Sequence, residues 1–423
     1  MNRIAVTGTG IVSSIGHNVS EFEQSLKNGR CGIESLANIC GNKLPANTLG
    51  ALIRDFSLIG ELESCIELDT EFISKFKSSI KRSTESMRYT AGSVLEAWRS
   101  ARFEAGSVLP ERIGIVTAGS NLSCSLQYKL HDSYVKTPEY LSPSYALQFM
   151  DTDYVGTLSE IFNIKGEGFT AGGASASGNV AIIKACQLIK LGIADVCLAV
   201  GCCAELSPME IQSFINLGGM GGRTFLEKPL EACRPFDVEH EGFIYGQASA
   251  CLVLESEEHA LGRNADILSF VSGGAIALDA NRLSNPSEEG EVRAMSTALR
   301  EAGLDIEDID YINTHGTSTP LGDITEVNAI KRLFGKRVNE IWTNSTKGLT
   351  GHCLYSAGVV EAVATIVQMQ EGFLHPNLNL CIPIDYDCKF CSAKFIDAEV
   401  RTALSNSFGF GGINTTIILE KPH

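Results

Sequence analysis

Apolar and small residues recur along this chain in two alternating periods. Residues 3–16 alternate β-branched with small side chains (Ile4, Val6, Gly8, Gly10, Val12) and predict a buried strand ending in a glycine-rich turn. Residues 20–60 read as helix and loop, 112–117 as a strand, and 120–165 carry no clear period. The stretch 166–178 is mainly glycine and small residues. Val180, Ala181, Ile182, Ile183, Cys186, Leu188 and Ile189 follow at helical spacing, so this segment predicts strand, tight turn and helix. Further strands are expected at 195–201 and 250–254. A second round then repeats the alternation: strand 267–275, helix 292–302, strand 311–313, helix 325–334, residues 340–342 leading into a loop, and a long apolar helix over 357–370. The chain closes with 402–408 and 415–419 as an antiparallel pair. Strands alternating with helices predict an α/β fold. Two rounds without a Pro-rich or low-complexity linker predict two similar halves, 1–260 and 261–423, packed as one body.

Composition narrows the class. With 423 residues, 44% hydrophobic and 20% charged, the chain has an ordinary globular make-up and is long enough for two core-forming units. No apolar run reaches membrane-spanning length and no signal-like segment opens the sequence, so a cytoplasmic protein off the membrane is expected. Most of the 14 cysteines, such as Cys186, Cys197, Cys202, Cys203 and Cys251, lie in apolar surroundings and read as buried free thiols. Cys388 and Cys391 form a lone CxxC without a second pair or a nearby histidine; it is taken as structural, and no metal is expected. A net charge of −16 argues against nucleic acid as a partner. One stretch runs against that charge: Lys75, Lys77, Lys81, Arg82 and Arg88 cluster between Phe72 and Tyr89. Such a cluster is usually a solvated helix face, and it also suits an acidic protein partner such as an acyl carrier protein.

Candidate chemistry concentrates in glycine-rich loops. The turn within 166–178 puts a side chain near the positive end of a helix dipole, among unpaired N–H groups, which suits a nucleophile or an anion. Gly8, Gly10 and Gly16 do not form GxGxxG, so the first turn is no dinucleotide site. Three loops in the second half carry polar groups: 313–323 with His315, 344–352 with Lys347 and His352, and 406–414 with Phe410. Two of only eight histidines in matching glycine-rich loops, one with a lysine beside it, point to a site.

From Val6-Thr7-Gly8-Thr9-Gly10-Ile11-Val12-Ser13, through Arg234-Pro235-Phe236-Asp237 and Glu241-Gly242-Phe243, to Phe408-Gly409-Phe410-Gly411-Gly412-Ile413-Asn414, the chain resembles the β-ketoacyl-acyl-carrier-protein synthases of the thiolase superfamily. The resemblance covers essentially the whole length. It implies a thiolase-like five-layered αβαβα fold of two duplicated halves, normally a homodimer. It also implies that His315 and His352 are the catalytic histidines, with Lys347 the catalytic lysine and Glu361, on the following helix, supporting them. Thr317 and Thr319 would bind the pantetheine arm, Phe410 would gate the site and lend its N–H to an oxyanion hole, and the stretch from Lys75 to Arg88 would form part of the carrier-docking surface. No tightly bound cofactor is implied; the substrate arrives on the phosphopantetheine of the carrier.

One departure dominates. Aligning Gly178 with the glycine after the family's nucleophile motif puts Ser175 where the family has its cysteine. A smaller departure is Gly246-Gln247-Ala248-Ser249-Ala250, where a glycine-rich turn with an acidic residue is usual. Loading and condensation need a thiolate and a thioester; a serine hydroxyl is a weak nucleophile and its ester a poor electrophile. Decarboxylation of a malonyl thioester needs only enolate stabilisation, which two histidine N–H donors supply in a dry pocket. The chain thus resembles the stand-alone ketosynthase-like decarboxylases of polyketide β-branching cassettes. These turn malonyl-carrier into acetyl-carrier for a hydroxymethylglutaryl-CoA-synthase-like partner. Two alternatives stay open. One is an acyltransferase or priming synthase with Ser175 as the acyl-accepting nucleophile. The other is a non-condensing, chain-length-factor-like subunit in a heterodimer with a cysteine-bearing synthase. A GxSxG hydrolase elbow is excluded because Ser177 stands where its second glycine would be.

Overall fold

The computed structural model describes residues 3–36, 48–65, 68–103 and 107–422. Among these, ten strands line up in one sheet. Its order is Trp342–Asn344, Tyr311–Asn313, Thr402–Gly409, Ile413–Glu420, Ser269–Leu278, Ile4–Ser13, Ala248–Ser256, Val196–Gly201, Ile113–Ala118 and Gly168–Ala171. Read from either outer edge inward, each half runs third, second, fourth, fifth and first strand in chain order, so the same topology occurs twice. The halves join where Ile4, Ala5 and Val6 pair antiparallel with Val271, Phe270 and Ser269.

Two helices form the middle layer, Ser177–Lys190 and Ala357–Glu371, and each touches strands of both halves. A helix between two sheet faces has no wet side, which is why Ala357 to Met369 are all buried and the segment is apolar except at Glu361, Thr365 and Gln368. The two helices cross at glycine. A Cβ on Gly178 would lie 2.7 Å from the Val359 nitrogen, and one on Gly358 would lie 2.6 Å from that of Asn179. Outer helices complete five layers: Glu85–Ser100 against the first strand, and Glu288–Ala302 against the first strand of the second half. Here too glycine permits the approach, and the two halves match. A Cβ on Gly8 would sit 2.3 Å from the Ala97 carbonyl, and one on Gly273 would sit 2.4 Å from that of Ala298. The glycines of the first strand therefore serve helix packing.

Differences from the sequence reading have local causes. The unassigned stretch 120–165 holds helices Cys124–Lys136, Tyr145–Gln148 and Thr152–Phe162; the first shows one buried residue, Ser125, and so leaves little apolar stripe to read. The basic segment is two helices, Thr70–Ile80 and Glu85–Ser100, the second capped by the Thr84 side chain. The helix expected from 325 starts at Pro320, a residue suited to a first helical position. Strand Trp342–Asn344 lies slightly later than 340–342 because its apolar run is short. Cys388 and Cys391 are buried in separate core clusters, as befits structural thiols. No helix of the described residues is long and apolar enough to cross a membrane.

Candidate active site

Parallel strands set the site. Gly168–Ala171 runs parallel to Ile113–Ala118, and Tyr311–Asn313 is parallel to both Trp342–Asn344 and Thr402–Gly409. The turn with Ser175 and the loops with His315, His352 and Phe410 all leave the carboxyl ends of these strands, where α/β folds build sites. The 3-10 turns Ala174–Ala176 and Leu354–Ser356, which lead into the two central helices, pack against each other. The turn needs Ala174 in a left-handed conformation, φ 48°. Gly409 closes over it, since a Cβ there would lie 2.4 Å from the Gly173 carbonyl.

Around this junction lies a cavity of about 380 Å³. Ser175, His315, His352, Thr317, Thr319 and Phe410 are all on its wall, so six residues singled out in sequence converge on one space. Ser175 Oγ is 2.8 Å from His352 Nε2. The His315 and His352 rings meet edge to face with centroids 5.5 Å apart. Thr317 and Thr319 join through their hydroxyls at 2.8 Å. Phe410 lies at the mouth, its ring 42% exposed and 6.4 Å from that of Phe214.

The protons on the histidines follow from their partners. Burial, with the Lys347 charge next, holds the His352 ring far below the usual imidazole range, so it is neutral. Its Nδ1 accepts the Leu354 N–H at 3.2 Å, so the single ring proton sits on Nε2 and faces Ser175. Leu354 presents that N–H from a left-handed conformation, φ 52°. The His352 backbone is held on both sides, donating to the Ile244 carbonyl at 2.6 Å and accepting from Gly246 N–H at 3.0 Å. Gly246 is required there, because a Cβ would meet the Thr350 carbonyl at 2.2 Å. The atypical 246–250 segment thus works as a clamp on His352.

His315 is likewise held neutral, by burial first and then by Lys347 and His352. Its Nδ1 is buried without a partner among the described residues, so a proton on Nε2 avoids burying an N–H that has no acceptor. The His315 backbone is fixed by Glu326, whose carboxylate accepts the N–H groups of His315 at 2.8 Å and Gly316 at 2.7 Å and the Asn406 amide at 3.1 Å. Burial nevertheless raises the Glu326 carboxyl to about 7. Sequence reading missed Glu326: in a helix it looks like any surface acid. Lys347 is 1% exposed and paired with Glu361, which also accepts from Ser407 Oγ at 3.2 Å. Of the basic residues, Lys77 pairs with Glu63 and Arg88 with Glu85, while Lys75, Lys81 and Arg82 are exposed.

Comparison with known proteins agrees with this architecture. The family described as beta-ketoacyl synthase, N-terminal domain, matches residues 1–260, and beta-ketoacyl synthase, C-terminal domain, matches 268–381. The chain is similar to the polyketide biosynthesis malonyl-ACP decarboxylase PksF of Bacillus subtilis (strain 168), 37% identical over 417 residues, 99% of this chain and 96% of the relative. Among solved structures it is similar to a beta-ketoacyl synthase from Burkholderia phymatum STM815, with 29% identity, full coverage of both chains and a TM-score of 0.86. It is also similar to the ketosynthase of a type II PKS complex with its acyl-carrier protein, AntDE:AntF, at 25% identity, full coverage of both chains and a TM-score of 0.84.

Proposed function

The chain belongs to the β-ketoacyl synthase family, and from that membership we propose that it is a ketosynthase-like decarboxylase. It converts malonyl-acyl-carrier protein to acetyl-acyl-carrier protein in polyketide biosynthesis. The observation that carries the reading is the Leu354 N–H donated to His352 Nδ1 at 3.2 Å, from which the ring proton is assigned to Nε2 and the direction of the His352–Ser175 contact follows. Nε2–H is the donor and Ser175 Oγ the acceptor, so the neutral histidine cannot take the serine proton from that nitrogen. Ser175 therefore stays a hydroxyl. The acyl-serine alternative needs the other tautomer, which would set an Nδ1–H against the Leu354 N–H.

The same arrangement suits decarboxylation. A malonyl thioester oxygen placed in the cavity accepts Nε2–H from His315 and from His352. As the bond to the carboxylate breaks, its electron pair moves into the enolate and the charge grows on that oxygen, which the two donors stabilise. Neutral, buried imidazoles do this without giving up their protons. The pantetheine arm runs past Thr317 and Thr319 with Phe410 as the gate, and no tightly bound cofactor is needed. The carrier docks on the basic surface where Lys75, Lys81 and Arg82 are exposed. The protein acts in the cytoplasm as a homodimer, and the acetyl unit goes on to a β-branching enzyme related to hydroxymethylglutaryl-CoA synthase.

Intact-mass spectrometry of a malonyl-loaded carrier tests this. Wild-type protein is expected to give acetyl-carrier, and His315→Ala or His352→Ala to lower the rate by about 10²–10³, the worth of one such donor. Ser175→Ala should lose less. Absence of acetyl-carrier, or a stable acyl adduct on Ser175, overturns the reading.

A further inference from the structure

Decarboxylation to an acetyl thioester has one requirement that condensation lacks. In condensation the enolate carbon is consumed by an acyl carbonyl; here it has to take a proton. The neutral histidines hold the oxygen through their only ring protons, and Lys347 is locked to Glu361. Another proton carrier stands on the cavity wall, Glu291, and no step above uses it.

Glu291 lies in the first turn of helix Glu288–Ala302, whose start is fixed by the Ser287 hydroxyl accepting Gly290 N–H at 3.2 Å. It is 1% exposed, and its Oε2 has no hydrogen-bond partner among the described residues. Among the described residues, the charges that act on it are those of Glu326, Asp279 and Glu288, all acidic. The nearby cations are engaged with those neighbours, Arg293 with Asp279 at 3.5 Å and Arg332 with Glu288 at 3.2 Å. Glu326 has its three donors, and Asp279 accepts the Asn414 amide at 2.8 Å. An ionised Glu291 would be a buried, unpaired charge beside other carboxylates, so it keeps its proton. Burial accordingly pushes its carboxyl well above the ordinary range.

We propose that Glu291 is the acid that supplies the proton to the α-carbon of the enolate, through water in the cavity. This rests on the decarboxylase reading. The Glu291 O–H bond breaks and a C–H bond forms at the α-carbon. The enolate's carbon–carbon electron pair makes that bond while the oxygen returns to a carbonyl. The Glu291 carboxylate is then reprotonated from solvent. The overall change is malonyl thioester anion plus one proton to carbon dioxide plus acetyl thioester.

The test reads how the enolate partitions between a proton and carbon dioxide. Full-length protein is given malonyl-carrier in the presence of ¹³C-labelled carbon dioxide and bicarbonate. Label entering unreacted malonyl-carrier is divided by acetyl-carrier formed. When protonation is slow the enolate recaptures carbon dioxide, so Glu291→Gln is expected to raise this ratio by about 100-fold, the lower end of what a positioned acid contributes. A ratio is insensitive to the fraction of protein folded, so a structural role for Glu291 would not move it. If Glu291→Gln does not fold, Glu291→Met, which likewise carries no acidic proton, is read the same way. An unchanged ratio in whichever variant folds overturns the proposal and leaves the decarboxylase reading standing. No acetyl-carrier from the wild type removes both.

Discussion

Lys347→Met removes one member of a fully buried ion pair. Lys347 and Glu361 are each 1% exposed, and with the lysine gone Glu361 keeps, among the described residues, only the Ser407 hydroxyl as a donor. Breaking such a pair costs about 3–5 kcal/mol, a large share of the ~5–15 kcal/mol that holds a typical fold. Replacing both partners with apolar side chains of similar volume is often neutral, or stabilising by about 1–4 kcal/mol. Lys347→Met should therefore unfold at much lower urea than wild type, and Lys347→Met/Glu361→Leu should recover most of the loss. The sign with pH is defined. Burial already raises the Glu361 carboxyl against the opposing lysine charge, and without Lys347 it rises further. A raised carboxyl favours the fold when protonated, so the single variant regains stability as pH falls toward the ordinary glutamate range and loses it as pH rises. Lys347 is also the second cause, after burial, holding His352 down. The acid limb of any residual decarboxylation should then move to higher pH in the single variant. Urea titrations at pH 5.5 and 8 by circular dichroism decide the matter. A single variant as stable as wild type, or a double variant no better than the single, refutes the reasoning.

Two further outcomes follow from the same geometry. Ser175→Cys places a thiol at a helix N-terminus, where the Ser175 hydroxyl now lies 2.8 Å from a neutral imidazole; the variant should be alkylated by iodoacetamide at position 175 and form β-ketoacyl-carrier when acyl donor and malonyl-carrier are both supplied. Gly178→Ala puts a methyl group 2.7 Å from the Val359 nitrogen where the central helices cross. Parting those helices shifts Ser175 away from His352, so the variant should lose stability by about 1–3 kcal/mol and activity by about 100-fold; wild-type melting and turnover would count against the crossing as the site's foundation.

Much of this was legible in the sequence, for reasons that can be named. Alternation and helical spacing gave the two rounds of strand and helix because each element buries a face, and burial leaves a period. Ser175, His315, His352, Thr317, Thr319 and Phe410 stood out because they occupy glycine-rich loops, where a polar side chain is not simply the outward face of a helix. Their convergence on one cavity came from pairings far apart in the chain, such as Asn313 beside Asn344 and Ser405, which no local pattern encodes. Glu291 and Glu326 were invisible for the opposite reason. Both lie on helices rich in charge, where a glutamate reads as solvated, and only the packing of those helices reveals that both are buried.

The proton on His352 lay furthest from the sequence, and the proposed chemistry turns on it. It depends on the N–H of Leu354, a main-chain group with no sequence signature, turned inward by a left-handed residue, and on the clamp from Ile244 and Gly246 that holds the loop in place. The histidine so held is a donor. A donor serves an enolate oxygen as well with serine beside it as with cysteine, whereas a nucleophile requires either a base or its own ionisation. A thiol at a helix N-terminus can ionise without a base, and a hydroxyl cannot. If the proposed decarboxylase reading holds, then with His352 committed as a donor, exchanging sulfur for oxygen at position 175 removes acyl loading and leaves the enolate-stabilising pair unchanged. On the proposed reading, this one substitution is what separates decarboxylation from condensation.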